Sequence, residues 1–407
     1  MSQEGNAESQ VGHNSSRSLH GVQGASARGE ISMRGRFVFA CLIASTVGLV
    51  SFKTVAQVVP KRLAEGDSET ALRSHENDWS VGVVGGLFSG TYMRLAAEMA
   101  DALDDGYNLR VLPIVSFGAG SNVDDLLYLH GVDLAITQSD VLEYFRTVRH
   151  TPNLGRRVQY IIRLPNSELH ILARDEVHSL EDLRGKKVNF GPRGTGASLT
   201  GTIVFQRLGI NVQQVNIPQA GAIEKLKSGQ IDAIARVIPK PVAFFSNIPP
   251  NSGLHLVNIP FTKTFEDHYS LGEFTKKDYP NLLDSKDRID TIAVPAVLAV
   301  YNWPPNTDHY RKLQRFTQYL FDRWDTFQHP PYHPKWRDVN LAAPIPGWTR
   351  WGPAQEMLNQ LKGQRPDKQK ADFQAFLNSR PDAPTDQAAR DALYRKFLQW
   401  QDQTKVH

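Results

Sequence analysis

The 407-residue sequence predicts an α/β protein of two similar lobes, each a mostly parallel sheet flanked by helices, followed by a helical C-terminal extension. Residues 79–84 form a β-branched run that leads into Gly85-Gly86-Leu87-Phe88-Ser89-Gly90-Thr91-Tyr92, then Leu95, Met99 and Leu103 at helical spacing. The same strand, glycine loop and helix returns at 187–190, 191–198 and the stretch through Ile203 and Leu208. A second pair repeats too: Leu127, Gly131-Val132-Asp133-Leu134-Ala135-Ile136 is matched by Leu226, Gly229-Gln230-Ile231-Asp232-Ala233-Ile234.

From the N-terminus, residues 1–32 are polar and Gly/Ser-rich, a composition unable to bury enough surface to offset ordering entropy, and form a disordered or untranslated leader. Met33 opens Met-Arg-Gly-Arg, an apolar stretch follows at 37–52, and Thr54-Val55-Ala56 closes it: a secretory signal at 33–56, cleaved after Ala56. An uncleaved anchor is the alternative, although sixteen apolar-rich residues are short against the roughly 20 needed to span a bilayer. Either way the remainder is periplasmic. Cys41, the one cysteine, falls in this segment, so no disulfide holds the fold.

The first lobe is expected at 79–166 and the second at 167–260, with strands at 158–164, 169–174 and 254–259. Residues 261–345 bring the chain back to the first lobe, through a strand at 291–301 and a helix at 308–327 carrying Leu313, Phe316, Leu320 and Trp324 on one face. A Pro/Trp-rich stretch at 330–353 packs on the back of the lobes, and residues 346–407 form the C-terminal extension, with two or three short helices.

With 46 Lys+Arg against 42 Asp+Glu and no run of five like charges, the field is too weak for nucleic acid. No enzyme motif is present: the 191–196 loop is out of register for a dinucleotide site, and neither glycine loop carries the Lys-Ser/Thr of a phosphate loop. No Gly-x-Ser-x-Gly elbow occurs. His329 and His333 would need a helix to meet on a metal, and Pro330, Pro331 and Pro334 break one. No cofactor and no metal are expected, and the chain reads as a monomer.

In order and spacing, Gly85 to Tyr92, then Phe117-Gly118-Ala119-Gly120-Ser121-Asn122, then Gln138-Ser139-Asp140 resemble the solute receptors of the TAXI subgroup of TRAP transporters. Leu180 to Val188 leading into Gly191 to Ala197, and Gly229-Gln230-Ile231-Asp232-Ala233, look like that family's second-lobe signature. The likeness runs from about Trp79 to Val300. It implies a type II periplasmic-binding-protein fold, whose chain crosses between lobes twice and closes on a ligand. It also implies delivery of a small carboxylate or amino acid to a TRAP-type membrane permease. Where the family commonly ends in a His-Pro-Gly-Ala-type motif, this chain has Ile345-Pro346-Gly347-Trp348 and a longer tail. A ligand-sensing interaction protein serving a membrane signalling partner is the alternative function.

Helix N-termini leave backbone N–H groups unpaired and carry partial positive charge, so glycine loops that open helices suit an anion. The candidates at the first loop are Ser89, Gly90, Thr91 and Tyr92; at the next two, Gly120, Ser121, Asn122, Gln138 and Ser139. In the second lobe they are Gly194, Thr195, Gly196, Ser198 and Gly221. Each Ser or Thr is equally open to a helix-capping role, as is Asp140. Arg193 and Arg236 are added because a guanidinium can grip a carboxylate with two hydrogen bonds.

Overall fold

The computed structural model describes residues 68–379 except 89, 284 and 285, together with 384, 386, 389–390 and 392–397. The leader and export signal read at 1–56, and Ser89, lie outside the described residues. Helix α1 (Glu69–Asp78) begins at Ser68, whose hydroxyl accepts the Ala71 N–H at 3.2 Å. Strand and helix then alternate: β1 (Ser80–Gly86), α2 (Thr91–Leu103), β2 (Arg110–Val115), α3 (Ala119–Tyr128), β3 (Leu134–Gln138) and α4 (Val141–Thr147). Leu95, Ala96, Met99 and Leu103 of α2 recur at helical spacing and are buried against the sheet. Every residue of β1 from Val81 onward is buried, as expected of a parallel strand covered on both faces.

After the short α5 (Leu154–Arg157), the long β4 (Val158–Arg174) carries the chain into the second lobe. There β5 (Lys187–Asn189), α6 (Gly196–Arg207), β6 (Gln213–Val215), α7 (Ala222–Lys227) and β7 (Ala233–Ile238) repeat the alternation. Then come α8 (Ala243–Ser246), β8 (Leu254–Leu256), β9 (Ser270–Thr275) and β10 (Arg288–Tyr301), which returns to the first lobe. Strand order is β2-β1-β3-β10-β4-β7-β5-β6, with β8 on β4 and β9 on β10. β2, β1 and β3 are parallel, as are β7, β5 and β6; β4 and β10 run antiparallel to each other and to the lobe strands they adjoin. The chain therefore crosses between the lobes twice.

Four expectations need correction. The strands expected at 158–164 and 169–174 are one 17-residue strand, because Pro295 pairs with Asn166 and Ala296 with Leu164, so the ladder skips Pro165 at a bulge. A bulge accommodates a residue with no N–H to contribute. The helix expected at 308–327 is α9 (Asp308–Asp322) followed by a 3-10 turn at Trp324–Gln328. Where short helices were expected, a 27-residue helix α10 (Gly352–Asn378) leaves the Pro/Trp-rich stretch, and residues 389–390 and 392–397 beyond it are helical as well. Phe265, Tyr269, Phe274 and Tyr279 are buried in second-lobe clusters, so the return to the first lobe comes with β10 and not at 261.

The Pro/Trp-rich stretch completes the first-lobe core: Trp336 and Trp351 join Leu313, Phe316 and Leu320 of α9. Trp336 Nε1 donates to Glu98 Oε2 on α2 at 2.7 Å, so the large ring is buried without orphaning its one donor. Among the described residues no helix is long and apolar enough to cross a membrane.

Candidate functional site

The carboxyl ends of β1 and β7 and the N-termini of α2 and α6 converge on a cleft between the lobes, with a volume of about 100 Å³. Gly90 is the extended N-cap of α2, and among the described residues no side chain caps that helix, so its first-turn amides keep their donor capacity. Across the cleft Thr195 caps α6, its Oγ1 accepting the Ser198 N–H at 3.3 Å and donating to the Pro192 carbonyl at 2.8 Å. Thr91, Tyr92, Gly196 and Arg236 complete the part of the wall contributed by the residues singled out from sequence.

Arg236 begins the half-buried end of β7 and lines the cleft. No carboxylate pairs with it among the described residues; its guanidinium lies 4.6 Å from the Phe244 ring centroid. Burial lowers its pKa, since a charged group is being held away from water without a counter-ion. Its neighbour across the ladder, His170, is held neutral: burial first, then the charges of Arg236 and Lys240, push its pKa down to about 3. His170 Nδ1 faces the Glu168 carbonyl at 2.9 Å and must donate there, so Nε2 accepts from the Tyr279 hydroxyl at 2.8 Å. Tyr92 stays protonated, because burial drives its phenol far above the ordinary range; its hydroxyl lies 3.3 Å from Ser167 Oγ.

Other candidates are drawn elsewhere. Gly120 and Ser121 direct their amides to the Gly194 carbonyl at 2.9 and 3.2 Å, so these two meet the second lobe directly and do not line the cleft, whereas Gly118 and Ala119 before them do. Asn122 is fully buried inside the first lobe, its Nδ2 donating to the Ile136 carbonyl at 2.6 Å and its Oδ1 accepting from Ser116. Gln138 is also fully buried, with Oε1 3.3 Å from the Thr200 hydroxyl and Nε2 without a partner among the described residues. Ser139 lines a different depression beside Trp348, whose Nε1 donates to the Ser139 carbonyl at 2.8 Å. Ser198 packs against Gln214, Gly221 opens α7 with a φ of 76°, and Arg193 is exposed; none of the three lines the cleft.

Sequence reasoning missed Phe117 and Gln219, which also line the cleft. Phe117 opens the Phe117 to Asn122 loop quoted above and Gln219 stands two residues before Gly221, and those positions were the available signal. The lobes are in contact beyond the cleft: the carboxylate of Glu143 on α4 grips Arg207 on α6 through Oε2 to Nη2 at 2.6 Å and Oε1 to Nε at 3.0 Å. Among the described residues no group of three or more His, Cys, Asp or Glu side chains is placed to hold a metal ion.

Two parallel lobes joined by two crossing strands, with a cleft at the strands' carboxyl ends, define a type II periplasmic-binding-protein fold. The model of the NMT1-like family matches residues 84–341, and the chain belongs to that family. Among solved structures it is similar to a Xanthomonas citri protein, XAC2383, bound to chloride ion, at 13% identity and a TM-score of 0.38, covering 70% of this chain and 99% of that one. It is also similar to the periplasmic aliphatic sulphonate binding protein SsuA from Escherichia coli, at 15% identity and 0.36, covering 61% and 72%. A third is the amino acid ABC transporter substrate-binding protein AbpA from Streptococcus pneumoniae bound to L-arginine, at 15% and 0.34, covering 61% and 92%. At these scores the likenesses say nothing of what this chain binds.

Proposed function

We propose that the chain is a periplasmic solute receptor that closes its two lobes on a small organic anion, a carboxylate or an amino acid, and delivers it to a TRAP-type permease. The observation that carries this reading is Arg236, a half-buried guanidinium in the cleft wall with no carboxylate partner among the described residues. A desolvated cation without a counter-ion is costly unless an anion arrives to pair with it, and the uncapped N-terminus of α2 favours the same charge. The permease assignment rests on the TAXI resemblance of Gly85–Tyr92, Gly118–Asn122 and the second-lobe loop.

The test is a thermal-shift panel on the full chain against amino acids, dicarboxylates, 2-oxo acids and inorganic anions, repeated on Arg236→Gln. A ligand present at a hundred times its dissociation constant stabilises the folded state by about 2.7 kcal/mol, a shift of several degrees. Stabilisation by an organic anion that is lost in Arg236→Gln supports the reading. A panel without stabilisation, or stabilisation indifferent to Arg236, refutes it.

A further inference from the structure

We infer that the cleft selects a monoanion with an apolar body and discriminates against amino acids and dicarboxylates; this rests on reading the cleft as the solute site. Arg236 is the one charged side chain among the described residues that line it, and no Asp or Glu does so. An amino acid brings an ammonium group as well as a carboxylate. In this cleft the carboxylate finds Arg236 while the ammonium finds only neutral hydroxyls, amides and carbonyls, so its desolvation is left uncompensated by charge.

Two carboxylates lie behind the wall, and neither lines the cleft. Asp140 is fully buried, its Oδ2 accepting from Thr200 at 2.8 Å and from Tyr269 at 2.9 Å. Glu168 Oε2 accepts the Lys240 N–H at 2.8 Å and faces a separate depression. A dicarboxylate fares no better, because it needs a second cation. The nearest in sequence, Lys240, directs its Nζ to Asp278 at 3.0 Å and to the Glu273 carbonyl at 2.7 Å, and Arg193 is exposed and does not line the cleft.

Beside the polar side chains of Thr91, Tyr92, Thr195 and Gln219, the wall carries an apolar share. Leu87 and Phe117, 38% and 64% exposed, face Ala197, Val237, Ile238 and Pro239. Carbon surface of this kind is covered when a ligand held at Arg236 extends a hydrocarbon body along it. The ligand class is therefore a medium-chain or aryl-substituted monocarboxylate or monosulfonate.

Calorimetric titration of the full chain with hexanoate, norleucine and adipate, and with 3-phenylpropanoate and phenylalanine, holds the carbon body fixed while changing charge. Hexanoate and 3-phenylpropanoate are expected to bind about tenfold or more tightly than the other three. Arg236→Gln should abolish that binding, Arg236→Lys should retain part of it, and Phe117→Ser should weaken it. Norleucine, phenylalanine or adipate binding as tightly as its partner, with the dependence on Arg236 intact, overturns the inference and leaves the receptor reading standing. No binding by any of the five, or binding unchanged in both Arg236 variants, overturns both.

Discussion

The Thr200 hydroxyl of the second lobe donates a 2.8 Å hydrogen bond to Asp140 of the first, and the Tyr269 hydroxyl adds another at 2.9 Å to the same carboxylate oxygen. Asp140 stands at the N-cap position of α4 but makes no capping bond; its side chain bridges the lobes instead. The contact closes the two halves on a fully buried carboxylate whose other oxygen has no partner.

Burial raises the Asp140 pKa to about 6, with the two hydroxyls opposing the shift only in part. That value lies above the ordinary one of about 3.9, so the folded protein holds this proton more tightly than the unfolded chain. The stabilisation is complete below about pH 4 and is lost as pH rises to about 6. Asp140→Asn keeps an acceptor for both hydroxyls and cannot ionise. We expect it to raise the melting temperature at pH 7, by up to about 3 kcal/mol of stability, with the difference vanishing near pH 4. His268, whose pKa is lowered by burial, acts in the opposite sense, losing stability as pH falls below about 6.5. Tyr92, Glu143 and Tyr269 also face Asp140, and these groups and His268 are common to both proteins, so the difference curve reports Asp140. A pH-independent difference would show that Asp140 ionises normally.

Glu143→Gln removes the carboxylate that holds Arg207 across the lobes, leaving that guanidinium with the Thr264 carbonyl. The pair is largely buried, with side-chain exposures of 12% and 18%. Breaking such a pair strands a charge, and we expect a loss of about 3 kcal/mol, read as a fall of several degrees in melting temperature at pH 7. A change below one degree would place the pair among surface bridges of negligible worth.

Gly118 has a φ of 126°, and a Cβ there would lie 3.2 Å from Thr195 Cα on the other lobe. Gly118→Ala is therefore expected to hold the lobes apart, increasing the radius of gyration in small-angle scattering and weakening anion binding. Gly131→Ala is the control: its φ of 84° carries similar strain, but a Cβ there meets nothing within 4 Å. It should cost about 1 kcal/mol and leave the scattering unchanged. Identical scattering from both variants would remove Gly118 from the closure surface.

Thr195→Ala should cost about 1 kcal/mol through loss of the α6 cap, and Thr195→Ser should restore it. Affinity separates the capping role from a ligand role. If Thr91→Ala and Thr195→Ala both leave affinity for a bound anion unchanged, the cleft hydroxyls do not contact it.

The two glycine loops were legible because strand, loop and helix are local patterns, and Gly90, Thr195 and Gly196 fall where those patterns put them. Arg193 and Arg236 carried equal weight in the sequence, since only three-dimensional placement distinguishes a solvent-facing loop residue from one at a cleft-lining strand end. The closure of Gly120 and Ser121 onto Gly194, and of Asp140 onto Tyr269 129 residues away, leaves no trace in spacing because the two lobes specify it jointly. Pro165 reads as a strand break, and the bulge that lets β4 continue is visible only once β10 is alongside.

β4 and β10 are paired from Val158 with Tyr301 to Glu168 with Ala293, so the lobes are joined by a two-stranded ribbon and not by two independent tethers. A ribbon flexes easily out of its plane and resists in-plane sliding, which would break ladder hydrogen bonds. Opening then has one soft coordinate, and the ribbon acts as a torsion spring with its weakest coil at the Pro165 bulge. One stiffness sets both how often the empty receptor closes and how strongly a ligand must pull to keep it shut, so a change at the bulge shifts the two together.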